Sequence, residues 1–166
     1  MKAGWQIPTI TVLVLGIFLS GQALAEETVY FLFRHAEKSL ESDDPGLSEN
    51  GKKRARSIGL YLEQAGITRI FSSDYKRTRE TVEPASEATG IEIEIYDPRD
   101  LDGFAEELEE MSGTIAIAGH SNTTPELAAL ISGQNTQSML ETDYDWLYTI
   151  VKYENGETIL KVSQQE

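Results

Sequence analysis

The chain contains no cysteine. That excludes a disulfide scaffold, a lipid-bearing cysteine anchor, a cysteine nucleophile and thiolate metal sites. Histidine occurs only twice in 166 residues, so imidazole chemistry has few places to occur. Positive charge is scarce as well: 14 basic residues face 28 acidic ones, for a formal charge of −14. Such a surface repels nucleic acid and anionic membranes, and neither is expected as a partner. It also disfavours anionic substrates at long range, which makes any local gathering of basic residues informative. The longest apolar run, "IPTITVLVLGIFL", falls short of the roughly 20 residues that a spanning helix needs.

That run follows Lys2 and precedes "SGQALAEE", with Ala23 and Ala25 at small-x-small positions. A basic start, a short apolar core and such an ending mark a secretory signal. Residues 1–25 are therefore expected to be a signal peptide cleaved after Ala25. The mature domain, 26–166, would begin at Glu26 and be exported, periplasmic or secreted, with no membrane association after cleavage. The alternative is an uncleaved anchor. The remaining length suits one domain with its own core.

Strand and helix patterns alternate through that domain. "TVYFLF" reads as a buried strand. Pro45 and Gly46 then signal a loop, and Ser48 is placed to cap a helix whose apolar face is Ala55, Ile58, Gly59 and Leu62. Gly66 suits the position just past that helix. "ITRIFSS" is a second strand, and Asp74 to about Ala88 a second helix, which Pro84 is expected to disturb or end early. "GIEIEIY" alternates strictly, as a strand near a sheet edge does, and "GFAEELEEM" is a short acidic helix. "GTIAIAG" is apolar throughout and should be central, followed by the helix "TPELAALISG". The tail pairs two alternating runs across Asn155-Gly156, a hairpin signal. The expected fold is a three-layer α/β/α sandwich, mostly parallel, with a C-terminal antiparallel hairpin.

The two histidines occupy equivalent positions. His35 follows "VYFLF", and His120 follows "TIAIA" through Gly119. Ligands of open parallel sheets bind beyond the carboxyl ends of the strands, so neighbouring strands would bring both rings to one crevice. Arg34 precedes His35, and Arg77 falls in the first turn of the second helix, whose N–H groups and dipole also suit an anion. Lys76 and Arg79 read as a solvated face balanced by Glu80 and Glu83. A metal site is disfavoured, because no carboxylate has close ligand spacing and two arginines would repel a cation; no cofactor is expected. The same groups suit phosphoryl transfer: an imidazole attacks phosphorus while arginines and a protonated second imidazole spread the oxygen charge.

At this point the chain resembles the histidine phosphatase superfamily, the group that includes phosphoglycerate mutases. Its hallmark, Arg-His-Gly or Arg-His-Ala after the first strand, is Arg34-His35-Ala36 here. "LSENGKKRA" matches at Leu47, Ser48, Gly51 and Ala55, "SSDYKRTRETVEP" carries Arg77, and "GHSNTTPEL" carries His120. The resemblance implies that His35 is the nucleophile and that Arg34, Arg77 and His120 form the phosphate pocket. Ser121 and Asn122 are candidates for polar contacts or helix capping. The mature chain lacks room for the mutases' substrate-binding insertions and lacks the extended Arg-His-Gly-x-Arg-x-Pro pattern of acid phosphatases. In size it is closer to the SixA-type phosphohistidine phosphatases.

Hydrolysis of a small phosphorylated substrate is therefore the expected function. Ester cleavage also needs an acid for the departing oxygen; Asp97, Asp100 and Glu37 are candidates. Two other readings stay open: a non-catalytic phosphate-binding or interaction module, and a protein phosphohistidine phosphatase. Tyr144 and Trp146, in the loop before the hairpin, are expected to pack on the core rather than on a substrate.

Overall fold

In a computed structural model the described residues are 27–40 and 42–164. The expected signal peptide, 1–25, lies outside them. Ten elements follow in chain order: β1 (Glu27–Arg34), α1 (Glu49–Gln64), β2 (Arg69–Ser73), α2 (Lys76–Thr89), β3 (Ile93–Tyr96), α3 (Leu101–Glu109), β4 (Thr114–Gly119), α4 (Thr123–Ser132), β5 (Trp146–Tyr153) and β6 (Thr158–Gln164). The sheet order is β3-β2-β4-β1-β5-β6. β1 to β4 run parallel, while β5 and β6 are antiparallel to their neighbours. The edge position of β3 and the inner position of β4 follow the polarity of their sequences.

Strand alternation divides the core in two. Tyr30, Leu32, Ile115 and Ile117 point toward α3 and α4, packing with Phe104, Leu108, Leu127 and Ile131. Phe31, Phe33, Ala116 and Ala118 point the other way, packing with Leu62, Val82 and Ala85 of α1 and α2. Alternate residues of a strand face opposite sides, so the apolar runs of β1 and β4 are those of strands buried on both faces. Their end is fixed in register: Arg34 pairs with Gly119, and the His35 N–H donates to the Gly119 carbonyl at 2.9 Å.

One expectation fails. Pro84 neither ends nor shortens α2, which runs on to Thr89. Proline deprives the carbonyl four residues back of its donor, but here the ring is itself a contact surface. Pro84 Cβ lies 2.8 Å from where a Cβ on Gly59 would be. A glycine on α1 thus admits the proline of α2, and helix packing outweighs the missing bond. The hairpin differs in detail. Gly156 alone takes positive φ, and the Gly156 N–H donates to the Tyr153 carbonyl. Asn155 keeps negative φ, so the turn is not the two-residue type that Asn-Gly most often makes.

Candidate active site

The segment after β1 is held from both sides by helices of one face. Ser48 caps α1 by accepting from the Gly51 N–H, and its own N–H donates to the Glu37 carbonyl at 2.8 Å. A Cβ on Gly51 would meet that same carbonyl oxygen at 2.1 Å. The Ala36 N–H donates to Thr81 Oγ1 of α2 at 2.9 Å, and the Thr81 hydroxyl donates to the Arg77 carbonyl at 2.7 Å. The "LSENGKKRA" stretch therefore acts as a brace. It presses the first turn of α1 onto the backbone two residues past His35.

The four candidate residues converge. His35 and His120 ring centroids lie 5.5 Å apart at 69°, and both rings line a cavity of about 310 Å³ together with Arg34 and Arg77. His35 Nδ1 is 2.7 Å from the Ala36 carbonyl oxygen. A carbonyl accepts only, so Nδ1 carries the proton and Nε2 keeps its lone pair. His120 Nε2 lies 2.9 Å from Ser73 Oγ. The Ser73 hydroxyl donates to Thr78 Oγ1, whose own proton is directed at the carbonyls of Ser73 and Tyr75. Ser73 Oγ is left to accept from His120, which sets the Nε2–H tautomer.

Burial, then Arg34, Arg77 and His120, push the His35 imidazole down to about 3, although its bond to Ala36 opposes this. His120 is pushed down to about 4 by burial, Arg77 and Arg34, against the opposing pull of Glu141. Both rings are neutral near pH 7 in this field.

The arginines differ in their anchorage. Arg34 is 2% exposed. Its Nη1 donates to the Leu140 carbonyl at 3.2 Å, its Nη2 to Glu141 at 2.7 Å, and its Cζ lies 4.3 Å from the Tyr144 ring centre. Arg77 makes a looser ion pair with Asp44 at 3.6 Å, and its Cζ lies 4.6 Å from the Tyr75 ring centre. Among the described residues, the buried side-chain nitrogens and oxygens without a hydrogen-bond partner are two: Nε of Arg34 and Nε of Arg77. A buried unpaired donor costs about 1–3 kcal/mol. Both belong to residues that line the same cavity.

Other expectations need correction. The start of α2 does not offer its first N–H to the cavity, because the Asp44 carboxylate accepts from the Lys76 N–H. The start of α4 is the helix end that opens there, through Ser121, Asn122 and Thr123. Asn122 occupies the cap position without a side-chain capping bond, and the Ser121 hydroxyl donates to Glu141. Lys76 and Arg79 form surface pairs as expected, Lys76 with Glu80, but Arg79 pairs with Asp74 rather than with Glu83. Tyr144 does not join the core: it lies against Arg34, with its ring centre 6.1 Å from that of His35. Trp146 does pack on the core.

None of the three acid candidates lines the cavity. Glu37 is held by Arg54 through Nε and Nη2, which keeps its carboxyl below the usual range despite partial burial. Asp97 is clasped by Arg99, and Asp100 caps α3 by accepting from the Gly103 N–H. The carboxylate that does line it is Glu141, which the sequence did not single out. Nothing local marks it; it reaches Arg34 across 107 residues. Tyr75 had a weak signal, being two residues from Arg77. Lys38 and Arg99 add positive charge at the rim, a basic focus on an acidic chain.

A family model described as the histidine phosphatase superfamily (branch 1) matches residues 30–102. The probable phosphoglycerate mutase GpmB of Serratia proteamaculans is 38% identical over 77 residues, which cover 42% of this chain and 35% of that protein. Its counterpart from Escherichia fergusonii is 26% identical over 149 residues, covering 81% of this chain and 58% of that protein. The chain thus spans from about a third to under two thirds of these relatives. Among solved structures, the protein histidine phosphatase SixA complexed with tungstate superposes with a TM-score of 0.64 at 15% identity, covering 82% of this chain and 97% of that one. A mycobacterial glucosyl-3-phosphoglycerate phosphatase with bound VO3 gives 0.66 at 14% identity, covering 86% and 100%. At such identities the likeness concerns the fold.

Proposed function

We propose that the chain is a member of the histidine phosphatase superfamily, whose model matches residues 30–102, and that it hydrolyses phosphomonoesters through a covalent phosphohistidine on His35. The observation that carries this reading is the pair of buried, unpartnered Nε donors of Arg34 and Arg77 beside two facing imidazoles. Two forked cations with donors free match the oxygens of a phosphate group.

His35 Nε2 attacks phosphorus, and the positive charge that forms on the ring is spread through Nδ1–H to the Ala36 carbonyl. Burial keeps the ring neutral and its lone pair available at neutral pH. A phosphate dianion reverses the local field: it replaces repulsion by Arg34 and Arg77 with attraction and draws a proton onto His120. That imidazolium, with the two guanidiniums, then stabilises the equatorial oxygens. The second half-reaction is attack of water on the phosphorylated ring.

The test is turnover of a generic aryl phosphate by the domain 26–166, with trapping of a labelled phosphoryl group on the protein. The expected result is turnover and label, both lost in His35→Ala. Absence of His35-dependent turnover over about pH 4–8, which spans the carboxylate and histidine ranges, overturns the enzymatic reading. Affinity for phosphate without any trapped label would favour a binding module instead. Export is a separate part of the proposal; a mature N-terminus at Glu26, read by mass spectrometry, is its expected signature.

A further inference from the structure

We propose that Glu141 is the acid and base of this reaction, protonating the departing oxygen and then activating the water. The inference rests on the phosphatase reading above and fills the role that Asp97, Asp100 and Glu37 leave open, each being held elsewhere by a partner. Among the described residues that line the cavity, Glu141 supplies the carboxylate. It comes from the loop between α4 and β5, and its two oxygens are oriented by different groups: Oε2 by Arg34 Nη2 at 2.7 Å, Oε1 by the Ser121 hydroxyl. Arg34 therefore holds this carboxylate with Nη2 while its Nε stays without a partner. The carboxyl and the phosphoryl group would share one guanidinium, which brings the proton donor beside the bond to be cleaved.

Its protonation follows from the same arrangement. The Ser121 hydroxyl and Arg34 hold the carboxyl below its usual range, against partial burial. A dianion drawn to Arg34 places like charge beside it and raises its affinity for a proton. Three quarters of the side chain is exposed, so the proton can enter from water. The first step then balances: the His35 Nε2–P bond forms, the P–O bond breaks with its electron pair on the leaving oxygen, and that oxygen takes the Glu141 proton. In the second step the carboxylate removes a proton from water as its oxygen bonds to phosphorus. The P–N bond breaks, and its pair returns to His35.

The discriminating experiment uses Glu141→Gln with two esters, an aryl phosphate whose leaving group needs little protonation and an alkyl phosphate whose leaving group needs much. The amide keeps oxygen and nitrogen where Arg34 and Ser121 contact it but has no proton to give as an acid. The expected kcat/KM loss is about 10²-fold or more on the alkyl ester, the usual worth of general acid catalysis, and under about threefold on the aryl ester. Labelled phosphoenzyme should accumulate on the aryl ester, because its hydrolysis has lost the base. Equal losses on both esters would overturn the proposal in favour of a positioning role for Glu141 on Arg34. No loss on either would overturn it outright. Wild-type turnover of the aryl ester that depends on His35 is the control: if it is absent, the phosphatase reading fails rather than this assignment.

Discussion

The two halves of the cavity repeat one arrangement with different materials. In each, a tyrosine lies against one arginine and one histidine: Tyr144 against Arg34 and His35, Tyr75 against Arg77 and His120. The Arg77 half is assembled locally, since Tyr75 stands two residues from Arg77 and Ser73 only four. The Arg34 half is completed from more than a hundred residues away, by Leu140, Glu141 and Tyr144 of one loop. The side chain of Arg34 is 1% exposed and doubly hydrogen-bonded, that of Arg77 15% exposed and loosely paired. A long-range clamp fixes the first cation; the second keeps room to adjust.

The comparison can be broken most severely at His35, the proposed nucleophile, which lies between both halves. His35→Ala should lower turnover of an aryl phosphate by about 10³-fold or more, as loss of a covalent nucleophile does. His120→Ala removes a charge stabiliser rather than the attacking atom and should cost about 10²-fold. Equal losses would mean that the two rings share one role. Steady-state kinetics of the two variants decides this.

Lysine substitutions test the unequal anchorage. Arg34→Lys forfeits the fork that binds Leu140 and Glu141 while leaving Nε free, and lysine cannot reproduce that geometry. A loss of about 10²-fold in kcat/KM is expected, against about 10-fold for Arg77→Lys, whose single 3.6 Å ion pair is readily replaced. A larger loss at Arg77 would invert the reading of which cation is fixed. Arg34→Met, by contrast, should leave thermal stability unchanged or raised, because it removes a buried charge with an unpaired donor.

The same asymmetry explains what the sequence could tell. β1, β4 and the hairpin were legible because burial on both faces leaves uninterrupted apolar runs, and alternation marks a half-exposed strand. His35, His120, Arg34 and Arg77 were legible because strand ends and a helix start place them. Pro84 misled because its packing partner, Gly59, lies on another helix. The α2 start misled because Asp44 arrives from a loop to take its first N–H. Glu141 and Tyr144 were illegible for a related reason. A loop has no periodicity, and their meaning depends on Arg34, which only the sheet brings within reach.

Acid should weaken the fold through the same two rings. His35 and His120 titrate near 3 and 4 here but near 6.5 in an unfolded chain. Between these values the unfolded state binds more protons, so stability falls as pH is lowered. The contribution is fully present above about pH 6.5 and is lost progressively toward about pH 3. A melting temperature that declines through this window, and declines less in His120→Gln, is the expected outcome. A flat profile would mean that the rings are less buried in an apolar, cationic setting than their contacts imply. Inorganic phosphate should reduce the decline, since it favours the protonated rings.

The finest test exchanges the two tyrosines. A cation over an aromatic face contributes about 0.5–1 kcal/mol where exposed and about 2 kcal/mol where water is excluded. Tyr144 lies under a guanidinium that is nearly sealed, whereas Tyr75 is 41% exposed. Tyr144→Leu should therefore weaken inhibition by phosphate up to about 30-fold, and Tyr75→Leu only about two- to fivefold, taking 1.4 kcal/mol per factor of ten. If both variants lose the same amount, the stacking on Arg34 adds nothing beyond contact, and the long-range half owes its rigidity to Leu140 and Glu141 alone. If Tyr144→Leu also lowers kcat while Tyr75→Leu does not, the ring is orienting His35 as well as the cation, which the 6.1 Å separation of the two rings allows.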